Sequence, residues 1–497
     1  MHARALFLSL IILALSGSAA AAEPGALGGE RPSAADVSAA AGRPDIVVVL
    51  LDDLPQIDGR LWQLMPNIRR TFVEGGLTFS NAHAESPLCC PGRAGFLTGL
   101  HTFNHGVTRN DVALLDDRMT VATQVKDAGY FTFWAGKYLN GYDAIAPYVP
   151  PGWDRFHAML PGYYDYRIWN NGNPRPQVRG SDPADYVTDV LSRKAVNALQ
   201  RAPAGQPLFG VVSAFAPHGP TIPAPRHQDD PGCEAMPGWA PPSYNEKVVS
   251  DKPAYVRSRP LLPDAGWDLT DVCGTLLAVD DLVGALRDEL SDQGRLANTL
   301  LVLTSDNGMN FGAHRLQGKS TPYATQVPLL ASWPEVLGHE PRQIAAPVLN
   351  IDLAPTVCEL AGCVLGPFPN GQAAPDGQSL VPWLTGSGAV ERDAFMTNMP
   401  DGGKRVPPWF AVATSGQSQL AGAGCAVEPS GGCRWHYVEY ATGERELYDV
   451  SNGPCWEWTK GMSGDPCELD NVAGVGRYRS IEVRLRSRLA ALKAEGG

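Results

Sequence analysis

From residue 44 onward, short unbroken apolar runs alternate with longer stretches whose apolar residues recur every three or four positions. The runs at 46–51, 130–135, 208–215 and 300–304 have strand length and little polar side to their two-residue period. Such runs predict strands covered on both faces. The stretches at 65–74, 121–128, 186–199 and 275–290 carry the helical period instead. Together they predict an α/β fold, a large and mostly parallel mixed sheet sandwiched by helices. Asp280 and Asp281, in the last of these helices, are expected on its solvent face. After Pro382 the texture changes. Strand-like segments at 410–414, 434–440 and 446–450 are separated by Gly and Ser loops and followed by an amphipathic stretch at 477–494. This predicts a smaller antiparallel sheet plus a helix. The expected domains are therefore 43–385, carrying the large sheet, and 386–497, a smaller α+β unit.

The four strand-like runs stop at residues with chemistry: Asp52-Asp53, Gly136-Lys137, Pro217-His218 and Asp306-Asn307-Gly308. Ligands of open α/β sheets sit beyond the carboxyl ends of the strands, so these side chains are expected to converge. Asp52, Asp53, Asp306 and Asn307 form an all-oxygen set suited to a hard divalent cation rather than to Zn²⁺, which prefers His and Cys.

Composition narrows the function classes. The 497 residues carry 40 basic and 52 acidic side chains, a net charge of −12. A nucleic-acid partner would call for a basic excess or basic blocks, so none is expected. The N-terminus has a short polar start at His2 and Arg4, an apolar run at 5–15 and small residues at 16–22. That is the pattern of a signal peptide over 1–22, too short to span a membrane, followed by an Ala/Gly/Ser/Pro-rich leader over 23–42. Export to the medium or periplasm without stable membrane insertion is expected. The lack of any Asn-x-Ser/Thr acceptor points to a bacterial source.

The segment Cys89-Cys90-Pro91-Gly92-Arg93-Ala94-Gly95-Phe96-Leu97-Thr98-Gly99 reads as a turn into a helix whose N-terminus can hold an anion. It resembles the signature of the sulfatase family, Cys-x-Pro-Ser/Ala-Arg followed by Leu-Thr-Gly. Gly92 and Leu100 depart from it, where the family has Ser or Ala and a basic residue. The blocks Gly136-Lys137-Tyr138-Leu139-Asn140, Ala216-Pro217-His218, Gly318-Lys319 and Asn350 to Thr356 also resemble the family, most closely the branch of N-acetylglucosamine-6-sulfatases and extracellular heparan sulfatases. Leu139 stands where the family usually has His.

The resemblance implies the alkaline phosphatase-like sulfatase fold and hydrolysis of a sulfate ester, of a small molecule or a glycan. It implies a formylglycine made from Cys89 by a formylglycine-generating enzyme, and Ca²⁺, with Mg²⁺ as the alternative, held by Asp52, Asp53, Asp306 and Asn307. Cys89, Arg93, Lys137, His218 and Lys319 are the implied catalytic group, and Asn140 has a counterpart near the substrate; His314, close in sequence to the Lys319 block, is open to a structural or a substrate-binding role. A hydroxyl of the hydrated aldehyde attacks sulfur and its twin expels sulfate, which a plain thiol cannot do. Two rivals stand beside this: a phosphate or phosphonate monoester hydrolase of the same superfamily, and a decayed glycan-binding homologue. With Cys89 and Cys90 set aside, eight of the ten cysteines remain. Short loops suggest Cys358–Cys363, Cys425–Cys433 and Cys455–Cys467, leaving Cys233–Cys273.

Overall fold

The computed structural model describes residues 42–387, 391–416, 418 and 434–495. The segments expected as a signal peptide and, but for residue 42, as a leader, and the expected pair Cys425–Cys433, lie outside the described residues.

The strands in chain order are β1 (Asp45–Leu51), β2 (Leu77–Phe79), β3 (Ala82–His83), β4 (Phe131–Lys137), β5 (Arg155–Met159), β6 (Arg167–Asn170), β7 (Gln177–Val178), β8 (Leu208–Ser213), β9 (Thr299–Ser305), β10 (Leu329–Ser332), β11 (Arg342–Ile344), β12 (Val348–Leu349), β13 (Ala394–Met399), β14 (Trp409–Thr414), β15 (Trp435–Tyr440) and β16 (Arg445–Asp449). Ten of them form one sheet in the order β11-β2-β10-β9-β1-β8-β4-β5-β6-β7. The centre, from β9 to β5, is parallel, and the antiparallel pairings lie outside it. Strand β1 shows why its sequence lacks a polar side. Val47, Val49 and Leu51 enter one apolar cluster while Ile46, Val48 and Leu50 enter another. Successive side chains point to opposite faces, and helices cover both.

The larger helices are α1 (Cys89–Thr98), α2 (Val121–Asp127), α3 (Val187–Arg201), α4 (Thr270–Asp292), α5 (Leu353–Ala361) and α6 (Arg479–Glu495). Gly99 ends α1 with φ 74°, the left-handed conformation that closes a helix and favours glycine. Thr120 and Thr123 cap α2 reciprocally. The stretch predicted as one helix at 65–74 is α-helical at Pro66–Ile68 and π-helical at Arg69–Val73.

Asp280 corrects an expectation. It is buried, 3% exposed, and accepts hydrogen bonds from the Asn67 and Ile68 amides and from Asn67 Nδ2. The orphan donors of the 66–68 turn draw this carboxylate inward, while Asp281 faces out and pairs with Arg226 and His227.

The second sheet runs β13-β14-β15-β16 and is antiparallel throughout. Strand β13 was absent from the sequence reading, because its AFMTNM sequence has neither clean alternation nor β-branched enrichment. Ile481, Leu485 and Leu489 of α6 pack on one face of this sheet. On the other, Met399, Trp409 and Val438 share a core with Val249, Tyr255 and Leu316. Disulfides Cys233–Cys273, Cys358–Cys363 and Cys455–Cys467 match the expected pairs, and among the described residues Cys89 and Cys90 are the free cysteines. No helix among the described residues is long and apolar enough to cross a membrane.

Candidate active site

Helix α1 lies beneath the carboxyl ends of β1, β4, β8 and β9, with all ten of its residues buried. Its approach depends on Gly92. A Cβ there would lie 2.1 Å from the Asp306 carbonyl oxygen, which gives the departure from Ser or Ala a steric reason. Gly136, at φ 129°, sits equally close to β8, where a Cβ would meet the Ser213 carbonyl at 1.9 Å. The strand end that delivers Lys137 therefore tolerates no side chain at that position.

These close approaches gather the strand-end residues around Cys89. Its Sγ is 2.9 Å from Lys319 Nζ and 3.6 Å from Asp52 Oδ1. Lys319 Nζ also donates to Asp53 Oδ1 and lies 3.5 Å from Asn307 Oδ1. Lys137 Nζ donates to Asp52 Oδ2 at 2.5 Å. Asn307 Nδ2 donates to Asp53 Oδ1 at 2.7 Å, and the Asp53 amide to Asp306 Oδ1 at 3.2 Å. His218 Nε2 is 3.5 Å from Asp53 Oδ2. His218 Nδ1 faces the Gly219 carbonyl at 2.6 Å, so Nδ1 carries the proton and Nε2 is left toward the site.

Arg93 is fully buried. Its Nε donates to Asp306 Oδ2 at 2.8 Å, Nη1 donates to the Lys137 carbonyl and to Ser213 Oγ at 2.6 Å each, and Nη2 lies 3.4 Å from Asp52 Oδ2. With these contacts and no exposed surface, Arg93 ties four strand ends together from within the protein. Ser213 was missed by the sequence reading. The signal was present, as a polar residue within the apolar run at 208–215.

The other two expected site residues stand apart from this cluster. Asn140 meets Cys90, its amide donating to Sγ at 3.1 Å. His314 is 1% exposed and bonded through Nδ1 to Glu246 Oε2 at 2.7 Å. Leu139, where the family has His, is a core side chain at 3% exposure and supplies no base.

The electrostatics follow from burial and crowding. Burial alone would raise the Asp52 carboxyl, but Lys137 and Arg93, with His218 and Lys319, hold it below the usual carboxylate range. Asp306 goes the other way, pushed above the usual carboxylate range by burial and by the charge of Asp52. Burial pushes the Cys89 thiol up to about 12 despite Lys137 and Lys319, so as a thiol it is a poor nucleophile. Three carboxylates and an amide are hard oxygen donors, and ligand atoms of Asp52, Asp53, Cys89 and His218 lie within 4.8 Å of one another. The residues fit a metal ion.

Comparison with known proteins agrees with this geometry. Residues 44–363 match the Sulfatase family model. An N-acetylglucosamine-6-sulfatase of Homo sapiens is 31% identical over 412 residues, 77% of this chain and 72% of that protein. An extracellular sulfatase SULF-1 homolog of Drosophila melanogaster is 32% identical over 405 residues, 77% of this chain but 34% of that protein, so the chain spans about a third of that relative. The structure of BT4656 in complex with its substrate D-glucosamine-2-N,6-O-disulfate superposes with a TM-score of 0.72 at 21% identity, covering 91% of this chain and 98% of that one. The phosphonate monoester hydrolase of Agrobacterium radiobacter shares the fold at a TM-score of 0.66 and 20% identity, covering 92% and 96% of the two chains. By the match over 44–363 and by these relatives, the chain belongs to the sulfatase family of sulfuric ester hydrolases, in the branch of the N-acetylglucosamine-6-sulfatases.

Proposed function

We propose that this protein hydrolyses the sulfate ester of a sulfated sugar at Cys89, after conversion of that residue to formylglycine by a formylglycine-generating enzyme and after export. The observation that carries the reading is Cys89 at the N-terminus of α1, between Lys319 at 2.9 Å and Asp52 at 3.6 Å. The thiol itself is disabled by burial. The hydrated aldehyde supplies a hydroxyl nucleophile and a second hydroxyl that permits sulfate release. Asp52, Asp53, Asp306 and Asn307 would hold Ca²⁺, which supplies charge stabilisation at the sulfate oxygens.

The chain's own residues divide the remaining work by exposure. Lys137, at 1%, and Arg93, at 0%, fix Asp52 and Asp306 and add positive potential from inside. His218 and Lys319, with side chains 30% and 14% exposed, face the open side. We assign them to the sulfate group and the leaving oxygen, with Lys319 Nζ, or His218 Nε2 in the doubly protonated imidazolium form, as the proton donor. A sulfated sugar is supported by the relatives, whose printed names include N-acetylglucosamine-6-sulfatase.

Cys89→Ala tests the reading. Circular dichroism and thermal stability should match wild type, while turnover of an aryl sulfate disappears. In the wild-type protein the Cys89 peptide should be about 18 Da lighter than the thiol form. Wild-type-like turnover by the variant would overturn the proposal. Faster turnover of aryl phosphate than of aryl sulfate would favour the phosphate or phosphonate reading.

A further inference from the structure

Lys319 sits on a loop whose backbone is strained and pinned from two sides. Phe311, His314, Arg315 and Ser320 have φ of 44°, 49°, 66° and 70°, the left-handed region that side chains disfavour. Such a backbone persists only where its surroundings over-determine it. The loop closes on itself through Asn310, whose amide donates to the Gly318 carbonyl at 3.0 Å and whose Oδ1 accepts from Thr321 Oγ1 at 2.9 Å. One side is held by the segment at 243–259. His314 is bonded to Glu246, and Arg315 donates to the carbonyls of Glu246, Lys247 and Arg259.

The other side is held by the C-terminal sheet. Trp409 of β14, fully buried, donates from Nε1 to the Ser320 carbonyl at 2.9 Å. The Ser320 amide donates to the Pro87 carbonyl at 3.0 Å, two residues before Cys89. Glu446 of β16, also fully buried, accepts the hydroxyls of Tyr323, Tyr440 and Tyr448. The Tyr323 ring in turn lies 4.4 Å from the His314 ring. The sheet thus grips the chain at one and four residues beyond Lys319, and the second grip rests on the histidine that the Glu246 side holds.

We propose that the C-terminal sheet is the positioning element for Lys319, acting through Trp409 on Ser320 and through Glu446 on Tyr323. None of these residues touches Cys89 or the carboxylates; they act through the loop. The inference rests on the assignment of Lys319 to the sulfate group.

The test is a double-mutant cycle in the full-length, formylglycine-loaded protein, with 4-methylumbelliferyl sulfate as substrate. Tyr323→Phe removes one hydroxyl from a buried carboxylate and should lower kcat/KM about tenfold, together with a modest fall in melting temperature. Glu446→Ala should lower it further, and Glu446→Gln, which keeps an acceptor, should recover most of the loss. In a Lys319→Ala background, Tyr323→Phe should change kcat/KM by less than about twofold, because the group it positions is gone. An equal loss in both backgrounds would show a general structural role and overturn the proposal. Hydrogen exchange over residues 310–319 separates the two layers of the argument. Unchanged exchange in Tyr323→Phe overturns the anchor, whereas faster exchange beside a fully active Lys319→Ala overturns the role of Lys319.

Discussion

Gly92→Ala is the substitution for which sequence and structure give opposite expectations. The family has Ser or Ala at this position, and Ala at a helical glycine ordinarily gains about 1 kcal/mol from propensity. The structure reverses the sign. The added Cβ would meet the Asp306 carbonyl oxygen at 2.1 Å, a backbone atom at the end of a fully buried strand. Real Cβ contacts stay above about 3 Å, so α1 and the end of β9 must separate by about 1 Å, an overpacking that costs about 1–3 kcal/mol. The net expectation is a loss of up to roughly 2 kcal/mol. The same movement takes Cys89 and Arg93 away from Asp306, and misplacements of this size cost about a hundredfold in rate. Gly95→Ala is the control on the same helix. Its nearest neighbour is Ile351 Cγ2 at 3.0 Å, a side-chain methyl needing only a small shift rather than a backbone atom at 2.1 Å, so it should cost less than Gly92→Ala. Urea unfolding of both variants gives the stability term. Turnover per mole of aldehyde at Cys89, quantified by peptide mass spectrometry, separates geometry from maturation. A Gly92→Ala protein as stable as Gly95→Ala, with wild-type turnover, would refute the steric argument.

Dialysis against chelator should lower both turnover and melting temperature, and Ca²⁺ at a hundredfold over its Kd should restore about 2.7 kcal/mol of stability; identical melting with and without chelator would refute the metal assignment. His83, buried between Thr325 Oγ1 and Asn81 Oδ1, is pulled down to about 3 by burial. Its unfolded form takes up a proton near pH 6.5 and its folded form does not, so stability is full above that value and falls as pH drops toward 3. The loss should be about 2 kcal/mol between pH 7 and 5, and His83→Gln should flatten that slope in thermal melts.

The fold was legible where one physical rule dominated. Strands β9, β1, β8 and β4 are buried along their whole length, so they read as nearly continuous apolar runs, and all four were found within two residues of their observed ends. Strand β13 escaped because its Thr and Asn are buried by pairing and by Glu85, which the Asn398 amide reaches. Asp280 escaped because its partner is a backbone turn more than two hundred residues away.

The candidate site divides in the same way. The sequence by itself determined its chemistry: carboxylates, a lysine and a histidine at strand ends can meet only at one edge of a parallel sheet, and the Cys-x-Pro-x-Arg pattern needs a helix N-terminus there. Tertiary structure alone decided which residues face outward and which work from within. Arg93 and Lys137 are sealed behind Asp52 and Asp306, His314 is turned to Glu246, and Asn140 is spent on Cys90. Those outcomes depend on long-range approach distances, such as that of Gly92 to Asp306, and on a C-terminal sheet whose buried Glu446 and Trp409 reach the loop of Lys319. No local pattern encodes such contacts, because each is set by how two distant segments pack.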